Sequence, residues 1–227
     1  MKKRFFSLFT AFAIAFMLLD VPLPISVQAL EAFNGTTESG SEYVLTDEDG
    51  NGIYDKIVIN ALKEEKLLKT IAEQNENLSI ENIKTAEIKD GITTVSKQTF
   101  SGCSGLTSVS IPDSVETIGR AAFYECSSLT TVSIPESVTE LGELAFEGCK
   151  ALTTVNIPDG VKRIKNQTFR DCYALTKIRI PDGVTRIDTN AFFACRSLTE
   201  VNIPDSVERI GSSAFEQCAP LSRKKPK

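Results

Sequence analysis

The chain reads as a mainly β solenoid of about six 23-residue coils, capped at its N-terminal end by a β-hairpin and a helix. Three observations predict it. All six cysteines, Cys103, Cys126, Cys149, Cys172, Cys195 and Cys218, recur every 23 residues. Phenylalanine keeps the same interval at Phe100, Phe123, Phe146, Phe169, Phe192 and Phe215, and leucine keeps it from Leu106 to Leu221. Five Ile-Pro pairs, beginning at Ile111, Ile134, Ile157, Ile180 and Ile203, hold it as well. Self-similarity at a fixed period of this length marks stacked units, none of which buries its apolar face alone.

From the N terminus, Lys2, Lys3 and Arg4 precede the apolar run 5–19, and Val27-Gln28-Ala29 supplies a small-residue cleavage site. Residues 1–29 are therefore expected to be a secretory signal peptide, because the run falls short of the roughly 20 residues that cross a bilayer. The mature chain would carry 22 basic and 29 acidic residues, a formal charge of −7. Such an acidic chain is not expected to bind nucleic acid. No second apolar run suggests a membrane anchor in the mature chain, so export to the extracellular space is expected, with any surface attachment non-covalent.

Residues 30–41 are polar and are expected to form a mobile leader. The segment 42–79 is expected to hold the cap: strands at 42–46 and 53–59, and an amphipathic helix over 61–74. In that helix Leu62, Leu67, Leu68, Ile71 and Ala72 fall at helical spacing. Between the two strands, Asp47, Asp49, Asn51 and Asp55 match the ligand spacing of a calcium loop. Val58 stands where the bidentate carboxylate belongs, and a tight Asp/Asn/Gly turn explains the same residues. No cofactor is required by the sequence; a weak structural calcium is the one metal it suggests.

The solenoid is expected over 80–217, with 80–102 a degenerate first unit and complete units at 103–125, 126–148, 149–171, 172–194 and 195–217. Within a unit, Val-x-Ile alternates as a half-buried strand. Proline then ends the ladder, and Pro-Asp-Ser/Gly supplies a turn. A second short run, Val-x-x-Ile, follows, and Ala-Phe closes the coil with its ring inward. The cysteines share the inward columns with leucine and phenylalanine, where a reduced thiol packs as a small hydrophobe. Disulfides between adjacent coils are the alternative. Residues 218–227, ending in Arg223-Lys224-Lys225-Pro226-Lys227, are expected to be a polar cap.

The pattern C-x-x-L-T-x-V/I-x-I-P-x-x-V-x-x-I/L-x-x-x-x-F resembles the BspA-like leucine-rich repeat family of bacterial surface proteins. The resemblance implies an arc-shaped solenoid with a sheet on one face. It also implies adhesion or partner binding instead of catalysis. The chain contains no histidine, no Gly-rich phosphate loop and no serine-base constellation, so no enzyme is expected. A structural spacer, or an inhibitor-type module docking on another secreted protein, are the other functions considered.

Charge divides the coils. Residues 103–148 hold seven acidic residues and one basic, whereas 149–194 hold eight basic and four acidic. Lys177 and Arg179 lie at outward positions of one strand, and Arg163, Arg186 and Arg209 form a column on a second face. These residues, with Tyr173 as an exposed aromatic beside Tyr124 and Phe193, are the candidate ligand-binding set, for an extracellular protein or polysaccharide. A solvated face with Asp159, Asp182, Asp188 and Glu208 as counter-charges explains the arginines and lysine without a ligand.

Overall fold

The computed structural model describes residues 32–51, 53–62, 66–74 and 78–220. The expected signal peptide, residues 1–29, and residues 221–227 of the expected polar cap lie outside them.

A 23-residue period builds a coil with three walls. The first wall carries β4 (Thr85–Ile88), β6 (Ser108–Ser110), β8 (Thr131–Val132), β10 (Thr154–Val155), β12 (Lys177–Arg179) and β14 (Glu200–Asn202). The second carries β5 (Thr94–Val95), β7 (Thr117–Ile118), β9 (Glu140–Leu141), β11 (Arg163–Ile164), β13 (Arg186–Ile187) and β15 (Arg209–Ile210). The paired strands are parallel and every partner is one period away, as in Thr131 with Thr154 and Arg163 with Arg186. The alternation Val-x-Ile thus forms short strands, and each Ile-Pro stops the ladder because proline has no N–H to donate.

The third wall has no strand but is hydrogen-bonded just as regularly. The amides of Gln98, Phe100 and Gly102 donate to the carbonyls of Arg120, Ala122 and Tyr124 at 3.0, 2.8 and 2.8 Å. The next coil repeats this from Ala121, Phe123 and Glu125 to Glu143, Ala145 and Glu147 at 2.9, 2.8 and 2.7 Å. Here amides point forward along the solenoid, whereas on the second wall Gly142 donates backward to Ile118 at 2.8 Å. Each coil turns onto this wall through a left-handed residue: Gln98, Ala121, Leu144, Gln167, Asn190 and Ser213 have φ between 54 and 58°. An L-residue there costs about 1–2 kcal/mol, so closure of the coil, not local preference, fixes those corners. Gly142 is required for close approach, since a Cβ on it would lie 2.4 Å from the carbonyl carbon of Gly119.

Inside the walls, the phenylalanines stack from Phe100 to Phe215 with centroids 5.1–5.5 Å apart and rings within 8° of parallel. The cysteines are free thiols beside them, all but Cys218 fully buried. From Cys126 onward, each sulfur lies 3.2 Å from the phenylalanine carbonyl of the coil before, as Cys149 does with Phe123.

At the N-terminal end the cap continues the solenoid instead of lying beside it. Strands β1 (Ala32–Thr36), β2 (Glu42–Thr46) and β3 (Lys56–Ala61) form an antiparallel meander, and β3 pairs in parallel with β4. Within the expected mobile leader, 30–41, the described residues are ordered by pairing: Ala32–Thr36 is an edge strand held along its whole length against Glu42–Thr46. Helix α1 runs Leu67–Gln74, not 61–74, because Ala61 is still paired with Glu42 in the sheet. It buries Leu67, Leu68 and Ile71 over the first coil. Its first turn is anchored there too, the Lys66 amide donating to Lys97 O at 2.8 Å. Among the described residues no helix is long and apolar enough to cross a membrane.

Burial pushes the thiols of Cys103, Cys126, Cys149 and Cys172 well up from their ordinary range. The folded-state value lies above the unfolded one, so the stabilisation is complete below the unfolded thiol's pKa of about 8.5 and is lost as pH rises beyond it. Thermal melts from pH 7 to pH 10 should show the Tm falling progressively above about pH 8.5. The fall should be shallower in Cys149→Ala, and a flat profile would contradict the account.

Candidate interaction surface

Outward side chains are displayed one per coil on each wall, at the strand spacing of about 4.8 Å. Like charges stacked at this spacing are unfavourable unless counter-charges intervene, and on the two strand-bearing walls counter-charges do intervene. On the first wall, Lys177 Nζ lies 3.6 Å from Glu200 Oε2, and Arg179 Nη1 lies 2.9 Å from Asp159 Oδ1. On the second wall, Arg163, Arg186 and Arg209 stack in register. Asp188, whose side chain is only 1% exposed, puts Oδ2 2.6 Å from Arg163 Nε and Oδ1 2.6 Å from Arg186 Nε. It occupies a column that Gly119, Gly142 and Gly211 fill in other coils, so one inward carboxylate clamps two stacked guanidinium groups. Arg209 is exposed at the last coil, with no carboxylate in ion-pair range among the described residues.

Tyr173 belongs to neither strand-bearing wall. It sits half-buried on the corner past the left-handed Asp171, where the third wall turns toward the first, and Arg196 Cζ lies 4.7 Å from its ring centroid. Phe193, on the third wall, takes Arg170 at 5.2 Å. Arg170 in turn contacts Asp171 at 3.4 Å and Glu147 at 3.8 Å. Burial pushes the Glu147 carboxyl up from its ordinary value, against the pull of Arg170. The six residues expected from sequence to bind a ligand therefore lie on two walls and a corner and do not form one site. Arg196 was not among them, although the period itself places it one coil beyond Tyr173.

In the acidic loop, Asp47 Oδ1 accepts from the amides of Gly50 and Asn51 at 2.8 and 3.2 Å. Asp49 Oδ1 accepts from Asn51 N at 3.3 Å, Asn51 Oδ1 from Ile53 N at 2.9 Å, and Asp55 Oδ1 from Glu48 N at 2.9 Å. The second oxygens of Asp49 and Asp55 face a lysine: Lys84 Nζ lies 2.9 Å from Asp49 Oδ2 and 3.2 Å from Asp55 Oδ2. That hydrogen bond holds Asp49 below, and Lys84 above, its ordinary pKa. Two oxygens around an ammonium do not match the six to eight oxygens of a calcium site. Among the described residues no group of three or more His, Cys, Asp or Glu is placed to hold a metal. The loop is instead latched to the first coil, since Lys84 immediately precedes β4.

Two expectations follow. Asp188→Asn leaves Arg163 and Arg186 facing each other without a charge between them, and should destabilise the protein by about 2–4 kcal/mol in urea unfolding. A loss below about 0.5 kcal/mol would place the pair among weak surface bridges. Millimolar calcium should leave the Tm of the native chain unchanged; a rise, absent in Asp47→Asn, would restore the metal reading.

No curated protein matches the chain in sequence. Among solved structures, a leucine-rich repeat protein of T. pallidum is similar over 88% of this chain and 90% of its own, with 24% identity and a TM-score of 0.63. One from Bacteroides ovatus covers 88% of this chain and 57% of its own, at 22% identity and a TM-score of 0.60. Both likenesses are of fold. The family model for the BspA type leucine rich repeat region matches residues 93–222 in six copies. With more than half of the chain accounted for by those copies, the protein belongs to the BspA-type leucine-rich repeat family.

Proposed function

We propose that the chain is an exported protein-interaction module that recognises matrix or cell-surface proteins outside the cell. Membership of the repeat family carries this reading, because stacked coils hold a rigid, extended array of side chains for a partner to contact. The N-terminal pattern of Lys2, Lys3 and Arg4 before an apolar run and a small-residue site supports export. The outward threonines at Thr107, Thr130, Thr153, Thr176 and Thr199 support the scaffold instead of the ligand. They lie along the edge of the first wall, where Thr153 Oγ1 donates to Thr130 O at 3.2 Å.

The test is a screen of the purified chain against immobilised matrix proteins, a sulfated polysaccharide and intact cells, at low and moderate salt. Saturable binding to a protein or cell surface is the expected result. Saturable binding to the polysaccharide alone would move the ligand class, and silence on every surface would favour a structural spacer.

A further inference from the structure

Nine aromatic residues lie in the coils between residues 80 and 217, and six of them are the core phenylalanine column. The other three are all half-buried, Tyr124 and Phe193 on the third wall and Tyr173 on the corner just past it. They fall in two neighbouring columns. Ala174 and Ser197 donate their amides to the carbonyls of Lys150 and Tyr173 at 3.1 Å each, which places Lys150, Tyr173 and Arg196 one above another on successive coils. Asp171 donates to the carbonyl of Phe193 at 2.9 Å, and Gly148 to that of Arg170 at 2.9 Å, which aligns the second column beside the first.

Ion pairing separates the Lys150–Tyr173–Arg196 column from its neighbours: Arg170, beside Phe193, is paired with Glu147 and Asp171. Arg163, Lys165, Lys177, Arg179 and Arg186 on the strand-bearing walls each lie within ion-pair distance of a carboxylate. Lys150 and Arg196 are exposed and have none among the described residues. Lys162 and Arg209 also lack one, but no aromatic ring shares their columns. Arg196 is instead held over Tyr173, so its charge is positioned without being neutralised. An arginine stacked on a tyrosine, with its donors still unused, is the composition that concentrates binding energy in protein interfaces.

We infer that the column Lys150–Tyr173–Arg196, flanked by Phe193, is a docking strip for an extended acidic segment of a protein partner. This rests on the protein-interaction reading above and names the surface and the partner's chemistry. Lys150 and Arg196 are two coils apart, about 10 Å along the strip. A polyproline II segment repeats every three residues at about 9.3 Å, so carboxylates spaced Glu-x-x-Glu match the spacing of the two cations while the residues between them pass the edge of Tyr173, whose face Arg196 covers.

A repeated Glu-Pro-Pro peptide is a probe with that geometry. The full chain should bind the immobilised peptide saturably, and more weakly as salt rises. Lys150→Ser combined with Arg196→Ser should lower affinity about tenfold or more, and Arg196→Lys, which keeps the charge but loses the planar stack, a few-fold. Lys177→Ser with Arg179→Ser should change it less than about twofold, because those cations are already paired. Circular dichroism melts would confirm that each variant is folded. No binding by the native chain, equal loss in both double variants, or binding to heparin without the peptide would each overturn the strip. If the matrix and cell screen is positive and unaffected by the Lys150/Arg196 variant, the strip fails while the interaction reading stands. If that screen is blank, the interaction reading fails whatever the peptide does.

Discussion

Coil-to-coil hydrogen bonding on all three walls is the constraint from which the other features follow. Each coil offers its amides and carbonyls to its neighbours at the same positions, so a residue inserted or lost in one coil would break three ladders together. The period is held at 23 residues for this reason, and a consequence is that every side chain meets its own counterpart one coil away. Stacking like on like suits some chemistries and penalises others. Phenylalanine rings tolerate it, offset at just over the strand spacing and excluded from water. Arginine does not, and the second wall accommodates Arg163 above Arg186 only through the buried Asp188.

The cysteine column shows the same constraint acting on a polar group. Each phenylalanine carbonyl at the third wall already accepts the amide three residues on, as Phe123 O does from Cys126 N at 3.3 Å. Its second lone pair faces the interior, where an apolar side chain would leave it empty. A thiol is small enough for the space and brings one weak donor, which Cys149 directs at that oxygen from 3.2 Å. Alanine would fit without donating, and serine would bring a stronger dipole into an apolar column. The thiols are thus part of the hydrogen-bond accounting of the core. The same burial keeps Cys103, Cys126, Cys149 and Cys172 protonated and poor nucleophiles.

What could be read from the sequence was what recurs as residue identity. The inward columns, the Val-x-Ile strands and the Ile-Pro stops each repeat the same residue type, and the structure uses each as expected. The third wall was not legible, because its ladder is made by backbone and its left-handed corners carry Ala121, Leu144, Gln167, Asn190 and Ser213. Those residues share no chemistry, and only the requirement to close the coil gives them one conformation. Strand β1 was missed for a related reason: Asn34 and Gly35 look like a turn, yet pairing with Tyr43 and Val44 holds them extended. Gly35 serves there as space for the Tyr43 ring, since a Cβ would fall 2.2 Å from its Cζ. In the acidic loop the spacing shows the carboxylates but not Lys84, which is distant in sequence and lies beside Asp49 and Asp55.

The same logic locates specificity in a repeat protein. A column that keeps one residue type through every coil is answering the demand of the stack, and it offers a partner only a uniform surface. Recognition needs columns whose residues differ and whose polar groups are still available. Lys177 and Arg179 satisfy the first condition but not the second, because a partner would have to displace Glu200 and Asp159 before gaining either charge. Asp188 makes the exchange harder still for Arg163 and Arg186, being itself buried. On the corner past the third wall the column runs Ser127, Lys150, Tyr173, Arg196. Ring stacking fixes the last guanidinium without consuming its hydrogen-bond donors, so order and availability coincide there. That distinction comes from which side chains neutralise one another, which the charge count of a segment does not reveal: the coils from 149 to 194 carry most of the basic residues, and several of these are already paired.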